Sequence, residues 1–128
     1  MEIKKIVFVL VTLLAVGAMS SGCAVMKRVD IADNAKSELV GLSKTDILSC
    51  AGVPVRSETV GDMEFLTYVS ESDKLTLFRR GKRYCEVTFT LKNGIVENVS
   101  YAGNTGGRFT KGEQCAYILE SCMAAEAD

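Results

Sequence analysis

The chain has 128 residues, with 15 basic and 16 acidic side chains, five cysteines and no histidine. This length supports one small domain, and the near-neutral charge argues against a nucleic-acid-binding protein, which needs a broad basic surface. The absence of histidine excludes Ser-His and Cys-His nucleophilic sites and the commonest metal ligand. We therefore expect a protein that is not an enzyme and that uses no cofactor, metal or small-molecule substrate.

The N-terminus has the three-part layout of a secretory signal peptide. Lys4 and Lys5 precede an apolar stretch over residues 6–19, and small residues then lead to Cys23. The apolar stretch, about 14 residues long, is short for a transmembrane helix, which needs about 20. An uncleaved anchor is therefore the second choice, and we predict a lipoprotein signal peptide over residues 1–22.

Residues 20–23, Ser-Ser-Gly-Cys, resemble the lipobox of bacterial lipoproteins, in which the cysteine is acylated and becomes the first residue of the mature chain. Residues 18–20, Ala-Met-Ser, would suit an ordinary signal peptidase instead. The odd number of cysteines favours the lipobox, because secreted chains rarely leave a free thiol. We therefore predict lipidation at Cys23 with acyl chains such as palmitate.

Removal of residues 1–22 leaves a mature chain with 13 basic and 15 acidic side chains, a net charge of −2. Two or more acyl chains give stable membrane attachment without a membrane span. Ala24 follows the lipobox cysteine where an aspartate would favour retention in the inner membrane. By analogy with Gram-negative lipoproteins, we expect the protein at the cell outer membrane, lipid-anchored and facing the periplasm.

Residues 23–40 are predicted to be a tether that runs into a short helix. Ile31, Ala35 and Leu39 recur every four residues, which is a weak amphipathic pattern. A disordered spacer is the alternative. We predict a single domain over residues 41–123 and a disordered tail over residues 124–128.

The segment GLSKTDILSCAGVP, residues 41–54, carries the clearest local signal. Ser43 is a good N-cap, and Asp46 three residues later completes a pattern close to a capping box. Gly52 is a typical helix C-terminus, and Pro54 prevents any continuation. These residues predict a short helix.

Three strand-like stretches follow, at residues 63–70, 83–91 and 95–101. The second alternates cleanly between an apolar and a polar side. Residues 92–94, Lys-Asn-Gly, join the last two stretches. A two-residue Asn-Gly turn would pair Val87 with Ser100, whereas a three-residue loop would pair Val87 with Val99. We predict the three-residue loop, because it pairs apolar residues more often.

Residues 102–112 are predicted to be a loop, and they lack the Gly-Lys-Ser/Thr of a phosphate-binding loop. Residues 113–123 are predicted to form a helix, because Cys115, Ile118, Leu119 and Cys122 share one helical face. We expect that helix to pack on the apolar face of the sheet.

Cys50, Cys85, Cys115 and Cys122 are predicted to form two disulfides. Residues seven apart on a helix are separated by about 10.5 Å, and a disulfide needs Cα atoms within about 7 Å, so Cys115 cannot pair with Cys122. Two connectivities remain open: Cys50–Cys115 with Cys85–Cys122, or Cys50–Cys122 with Cys85–Cys115. Four buried free thiols are the alternative, and a zinc site is less favoured, because no CxxC exists.

The segment FRRGKRY, residues 78–84, is the one dense basic cluster of the chain. Its cations, Arg79, Arg80, Lys82 and Arg83, are candidate binding residues for anionic headgroups or for an acidic partner. A solvated loop between strands is the simpler interpretation.

The order of these segments over residues 41–101 resembles the SmpA/OmlA (BamE-like) lipoproteins. That family shows a Gly-Met-Ser/Thr-Lys helix start, a Leu-Gly-x-Pro exit, an aromatic-x-Tyr strand and a Phe…Asn-Gly-x-Val hairpin. The matching positions here are Gly41, Ser43, Lys44, Gly52, Pro54, Tyr68, Phe89, Gly94 and Val96. Leu42 stands for Met, Ala51 for Leu and Leu66 for the usual Trp. The cysteine-bearing C-terminal helix lies outside this pattern, which indicates a divergent member.

The resemblance implies an α+β fold in which N-terminal helices and a C-terminal helix pack on one face of a three-stranded antiparallel sheet. The same layout occurs in β-lactamase-inhibitor-like modules, which bind proteins and catalyse nothing. We therefore expect a protein-binding scaffold for an envelope partner, in outer-membrane protein assembly, with Leu66 and Tyr68 as candidate binding residues. The alternative is an envelope-maintenance lipoprotein that binds anionic lipid or peptidoglycan.

Overall fold

The computed structural model describes the backbone of residues 1–76 and 79–126, together with their side chains apart from those of residues 14–21, 73–80 and 126. Helices and strands follow one another along this part of the chain. They are helix α1 (Glu2–Glu38), helix α2 (Lys44–Ala51), strands β1 (Arg56–Val60), β2 (Met63–Thr76), β3 (Arg79–Lys92) and β4 (Ile95–Ala102), a 3₁₀ turn (Glu113–Cys115) and helix α3 (Ala116–Glu126).

The sheet has four antiparallel strands in the order β1-β2-β3-β4. The α+β class is therefore confirmed, whereas the predicted number of three strands is wrong. The missed strand is β1, whose five side chains are all exposed and show no apolar alternation that could reveal it. It pairs with β2 because the chain reverses at Gly61, at φ 63°, and brings Val60 opposite Met63.

The core lies on one face of the sheet. Leu66 of β2 pairs with Phe89 of β3, which pairs with Val99 of β4, so these side chains form one apolar row across three strands. All three α-helices add side chains to this core. The fully buried ones include Ala32 and Ala35 of α1, Leu39 at its C-terminal cap, Ile47 of α2 and Leu119 of α3.

The hairpin between β3 and β4 differs from the predicted three-residue loop. Asn93 and Gly94 both have positive φ, 51° and 76°, and form a two-residue turn that matches the twist of the strands. A bulge then shifts the register between Thr90 and Leu91, so that Val87 pairs with Tyr101. The predicted register is therefore wrong. Apolar side chains still meet, because the extra residue in the bulge lets both Val96 and Val99 face the core.

Helix α1 continues without interruption through the residues that were predicted as leader and tether. Its described side chains are exposed as far as residue 13, and the first buried one is Ala32. The core therefore includes residues well before the predicted domain start at residue 41. At the other end, helix α3 continues to Glu126, into the predicted tail. Within the described ranges, no helix combines the length and the apolar character needed to cross a membrane.

Helix α2 begins with the capping box that the sequence predicts. The Asp46 N–H donates to Ser43 Oγ at 3.2 Å, and the Ser43 N–H donates to the Asp46 carboxylate at 3.0 Å. Hydrogen bonds from the side chain and the backbone of Ser43 lower the pKa of Asp46 below its ordinary value of 3.8. The stabilising contribution of the ionised Asp46 carboxylate is therefore fully present above the ordinary carboxyl pKa. It is lost as the pH falls through the lowered pKa of the folded state.

Candidate functional site

Cys23 lies on helix α1 with an exposed side chain and a free thiol. It precedes Ala32, the first described core residue, by nine positions, which is about 13 Å along a helix. The apolar leader side chains that the structure describes, such as Phe8 and Leu13, are also exposed. Cleavage before Cys23 would therefore remove no described side chain of the core.

The four other cysteines form two disulfides. Cys50 of helix α2 is joined to Cys122 of helix α3, with Cα atoms 4.8 Å apart. Cys85 of strand β3 is joined to Cys115 of the 3₁₀ turn, with Cα atoms 5.1 Å apart. The prediction of disulfide bonds is thus confirmed, and the second of the two open connectivities is the one observed. The C-terminal segment is consequently tied to both helix α2 and the sheet.

Leu66 and Tyr68, predicted as candidate binding residues, belong to the core instead. Their side chains are 1% and 4% exposed. The Tyr68 hydroxyl donates to the carbonyl of Gly52 at 2.9 Å, and its ring meets that of Phe89 edge to face, with centroids 5.7 Å apart. Burial raises the pKa of Tyr68. Tyr68 therefore ties the C-terminal end of helix α2 to the sheet, and neither side chain offers a free surface to a partner.

The predicted basic cluster is dispersed into ion pairs where its side chains are described. Lys82 Nζ lies 2.9 Å from the Glu71 carboxylate, and Arg83 Nη1 lies 3.6 Å from the carboxylate of Glu113. The side chains of Arg79 and Arg80 lie outside the described residues. This pairing weakens the prediction of a four-cation site, because two of its members already face carboxylates.

The carboxylate of Glu113 is buried between two arginines. Its side chain is 5% exposed, and Arg28 Nη2 of helix α1 lies 3.4 Å from Oε1, whereas Arg83 approaches Oε2. The Arg28 guanidinium also lies over the Tyr117 ring, 5.3 Å from its centroid. This cluster joins helix α1, the 3₁₀ turn and strand β3. No sequence signal predicts it, since its three charges are brought together only by the tertiary fold.

The described helices all pack against one face of the sheet, so none of them covers the opposite face. We call it the outer sheet face, and its central residues are Phe65, Thr67, Val69, Thr88 and Thr90, which alternate with core residues along β2 and β3. Val69 is 38% exposed, whereas Thr67 at the centre of the face is only 3% exposed. In residues 83–91, polar residues alternate with apolar ones, and these polar positions indicate this face in the sequence.

Polar contacts order the outer sheet face. The Thr67 and Thr88 hydroxyls are 3.3 Å apart, and Arg56 Nη2 of the edge strand donates to the Glu86 carboxylate at 2.8 Å. A shallow pocket of about 200 Å³ lies beside these residues and also includes Phe65. Aromatic residues and arginine, here Phe65 and Arg56, are enriched at protein–protein interfaces. Among the described residues, no group of three or more metal-ligating side chains lies close together.

Comparison of the chain with protein-family models, with curated proteins and with solved structures finds no match.

Proposed function

We propose that this protein is an exported envelope lipoprotein, acylated at Cys23 and held at the outer membrane on its periplasmic side. One observation carries the proposal: Cys23 is exposed and precedes every described core residue. Cleavage before Cys23 would therefore leave every described core residue on a lipid-bearing helix. The two disulfides also support export, because such bonds persist in oxidising compartments.

In that compartment, the protein serves as a non-enzymatic binding module for another envelope protein. The outer sheet face supports this role, since an ordered and partly apolar surface has no described helix packed on it. The order of capped helix, strand and Asn-Gly hairpin supports a divergent member of the SmpA/OmlA (BamE-like) family. A role in outer-membrane protein assembly follows from that resemblance.

Cells fed an alkyne-bearing fatty acid should label the wild-type chain and should not label Cys23→Ser. Cys23 is the proposed site of lipid attachment, so the intact mass of the labelled chain should correspond to a lipid-bearing chain that begins at residue 23. The double variant Cys50→Ser/Cys122→Ser is the matched control and should keep its label, because it removes two other sulfurs. An unlabelled, fully reduced chain with its leader intact would contradict the lipoprotein proposal.

A photo-crosslinking amino acid placed at Thr90 should capture one dominant envelope protein in living cells. Thr90 lies on the outer sheet face, where a bound partner would be within reach of the probe. The same probe at Glu120, an exposed position of helix α3, is the control and should capture none. Equal capture at both positions, or none at Thr90, would rule out the outer sheet face as the partner site.

A further inference from the structure

A second surface, which we call the loop cleft, opens between helix α1 and the loop of residues 103–112. It encloses about 640 Å³ and lies on the side of the sheet that the helices cover, because Tyr101 lines it and shares its face with Val87. Helix α1 contributes Val29, Asp33 and Lys36 to one wall, and the loop contributes Arg108, Phe109 and Lys111 to the other.

The loop wall is held in shape by short hydrogen bonds. The Gly107 N–H donates to the Thr110 hydroxyl at 2.8 Å, and the Thr110 N–H donates to the Gly107 carbonyl at 3.2 Å. A side chain on Gly106 would overlap the carbonyl oxygen of Thr110, so glycine is required there. The turn presents Phe109, 84% exposed, at its tip. A preformed tip loses little conformational entropy when it binds.

The charge of the loop cleft is opposite to that of the chain. The cleft is lined by three cations, Lys36, Arg108 and Lys111, and by the single carboxylate of Asp33. The proposed mature chain, in contrast, has a net charge of −2. The Lys36 ammonium lies over the Tyr101 ring, 4.9 Å from its centroid. The Tyr101 hydroxyl donates to the carbonyl of Ala32 at 2.6 Å, and burial together with Asp33 raises its pKa. The cleft therefore combines a local positive field with an exposed aromatic ring.

We propose that the loop cleft binds an acidic, extended polypeptide segment that packs an apolar side chain against Phe109. The inference rests on the proposed binding function and specifies the chemistry of a partner at a second surface. Charge complementarity selects an acidic ligand. The wall from Val29 to Lys36 is about 10 Å long, which matches about three residues of extended chain.

A polypeptide fits this cleft better than a lipid headgroup does. Lys36 lies 13 residues after Cys23, so an upright helix α1 would hold it about 20 Å from the acylation site. The headgroup layer on each side of a bilayer is only about 6 Å thick. The outer sheet face and the loop cleft lie on opposite sides of the sheet, so one partner segment can occupy the cleft while the outer sheet face is engaged.

The test uses a fluorescein-labelled peptide, Glu-Glu-Phe-Glu-Glu-Phe, titrated with the full chain in zwitterionic micelles and followed by anisotropy. The acidic peptide should bind, and its counterpart with glutamine for glutamate should bind at least tenfold more weakly. Lys36→Gln and Lys111→Gln should each weaken binding of the acidic peptide about three- to fivefold, as expected for exposed charge pairs. Phe109→Ala should weaken it further.

Lys27→Gln is the matched control, because it removes the same charge from an exposed position of the same helix that does not line the cleft. It should leave the affinity within twofold of wild type. Equal binding of both peptides, or an equal effect of Lys27→Gln and Lys36→Gln, would overturn the proposal. So would Lys36-dependent binding to phosphatidylserine-containing vesicles without peptide binding. Acylation at Cys23 and crosslinking at Thr90 are measured separately, so failure of either proposal is recognised independently.

Discussion

Replacing Cys85 and Cys115 together by alanine is expected to lower the free energy of unfolding by about 3.6 kcal/mol, the chain-entropy value for a loop of this length. The bond closes a sequence separation of 30 residues, and both side chains are fully buried, so the alanines also leave small voids. Urea unfolding followed by far-ultraviolet circular dichroism under oxidising conditions measures the change. A midpoint equal to that of wild type would contradict it.

The second disulfide gives an internal comparison. Cys50–Cys122 closes 72 residues, so its removal should cost about 4.4 kcal/mol on the same entropic scale. The free energy of unfolding lost with both bonds would then approach the total stability of a small domain, about 5–15 kcal/mol. Full reduction should therefore unfold the chain at 37 °C. A reduced chain that keeps a cooperative transition at an unchanged midpoint would show that the helices hold the sheet without covalent help.

Glu113→Ala is expected to lower the free energy of unfolding by about 2–3 kcal/mol. Removing one partner of a buried ion pair costs about 3–5 kcal/mol, and we take a lower value because Arg28 and Arg83 are 24% and 27% exposed and keep some hydration. The loss comes from two guanidinium groups left without their shared carboxylate. Thermal unfolding at constant ionic strength measures it.

Two variants test the cause of this loss. Glu113→Gln keeps an oxygen that accepts a hydrogen bond, so it should cost about 1 kcal/mol. Glu120→Ala makes the same change of charge at an exposed position of helix α3 and should stay within about 0.5 kcal/mol of wild type. If Glu113→Ala and Glu120→Ala had equal effects, net charge and not the buried cluster would be responsible.

Local signals predicted the elements that depend on local chemistry. The capped start and the glycine end of helix α2 were readable because Ser43, Asp46 and Gly52 satisfy backbone groups within a few residues. The alternation in residues 83–91 likewise predicted most of β3. Strand β1 was missed because pairing with β2, and not apolar alternation, determines it.

Apart from the disulfides, the features that depend on contacts distant in sequence were not predicted. The Asn93-Gly94 turn was visible, but the bulge that follows it depends on packing of β4 against the helices. Leu66 and Tyr68 are candidate binding residues only through the family resemblance, and a motif match does not indicate which face of a strand the helices cover. The contacts of Arg28 and Arg83 with Glu113 join positions far apart in the sequence.

Helix α1 joins Cys23 to Ala32 without a break. The connection between the proposed attachment site and the core is therefore rigid and not a flexible linker. Each residue of an α-helix advances about 1.5 Å and rotates about 100°. One residue inserted in this segment would therefore rotate the sheet by about 100° around the helix axis. A whole added turn would mainly increase the distance between the sheet and Cys23. The number of residues between Cys23 and the core thus sets the direction in which the outer sheet face points about the axis of helix α1.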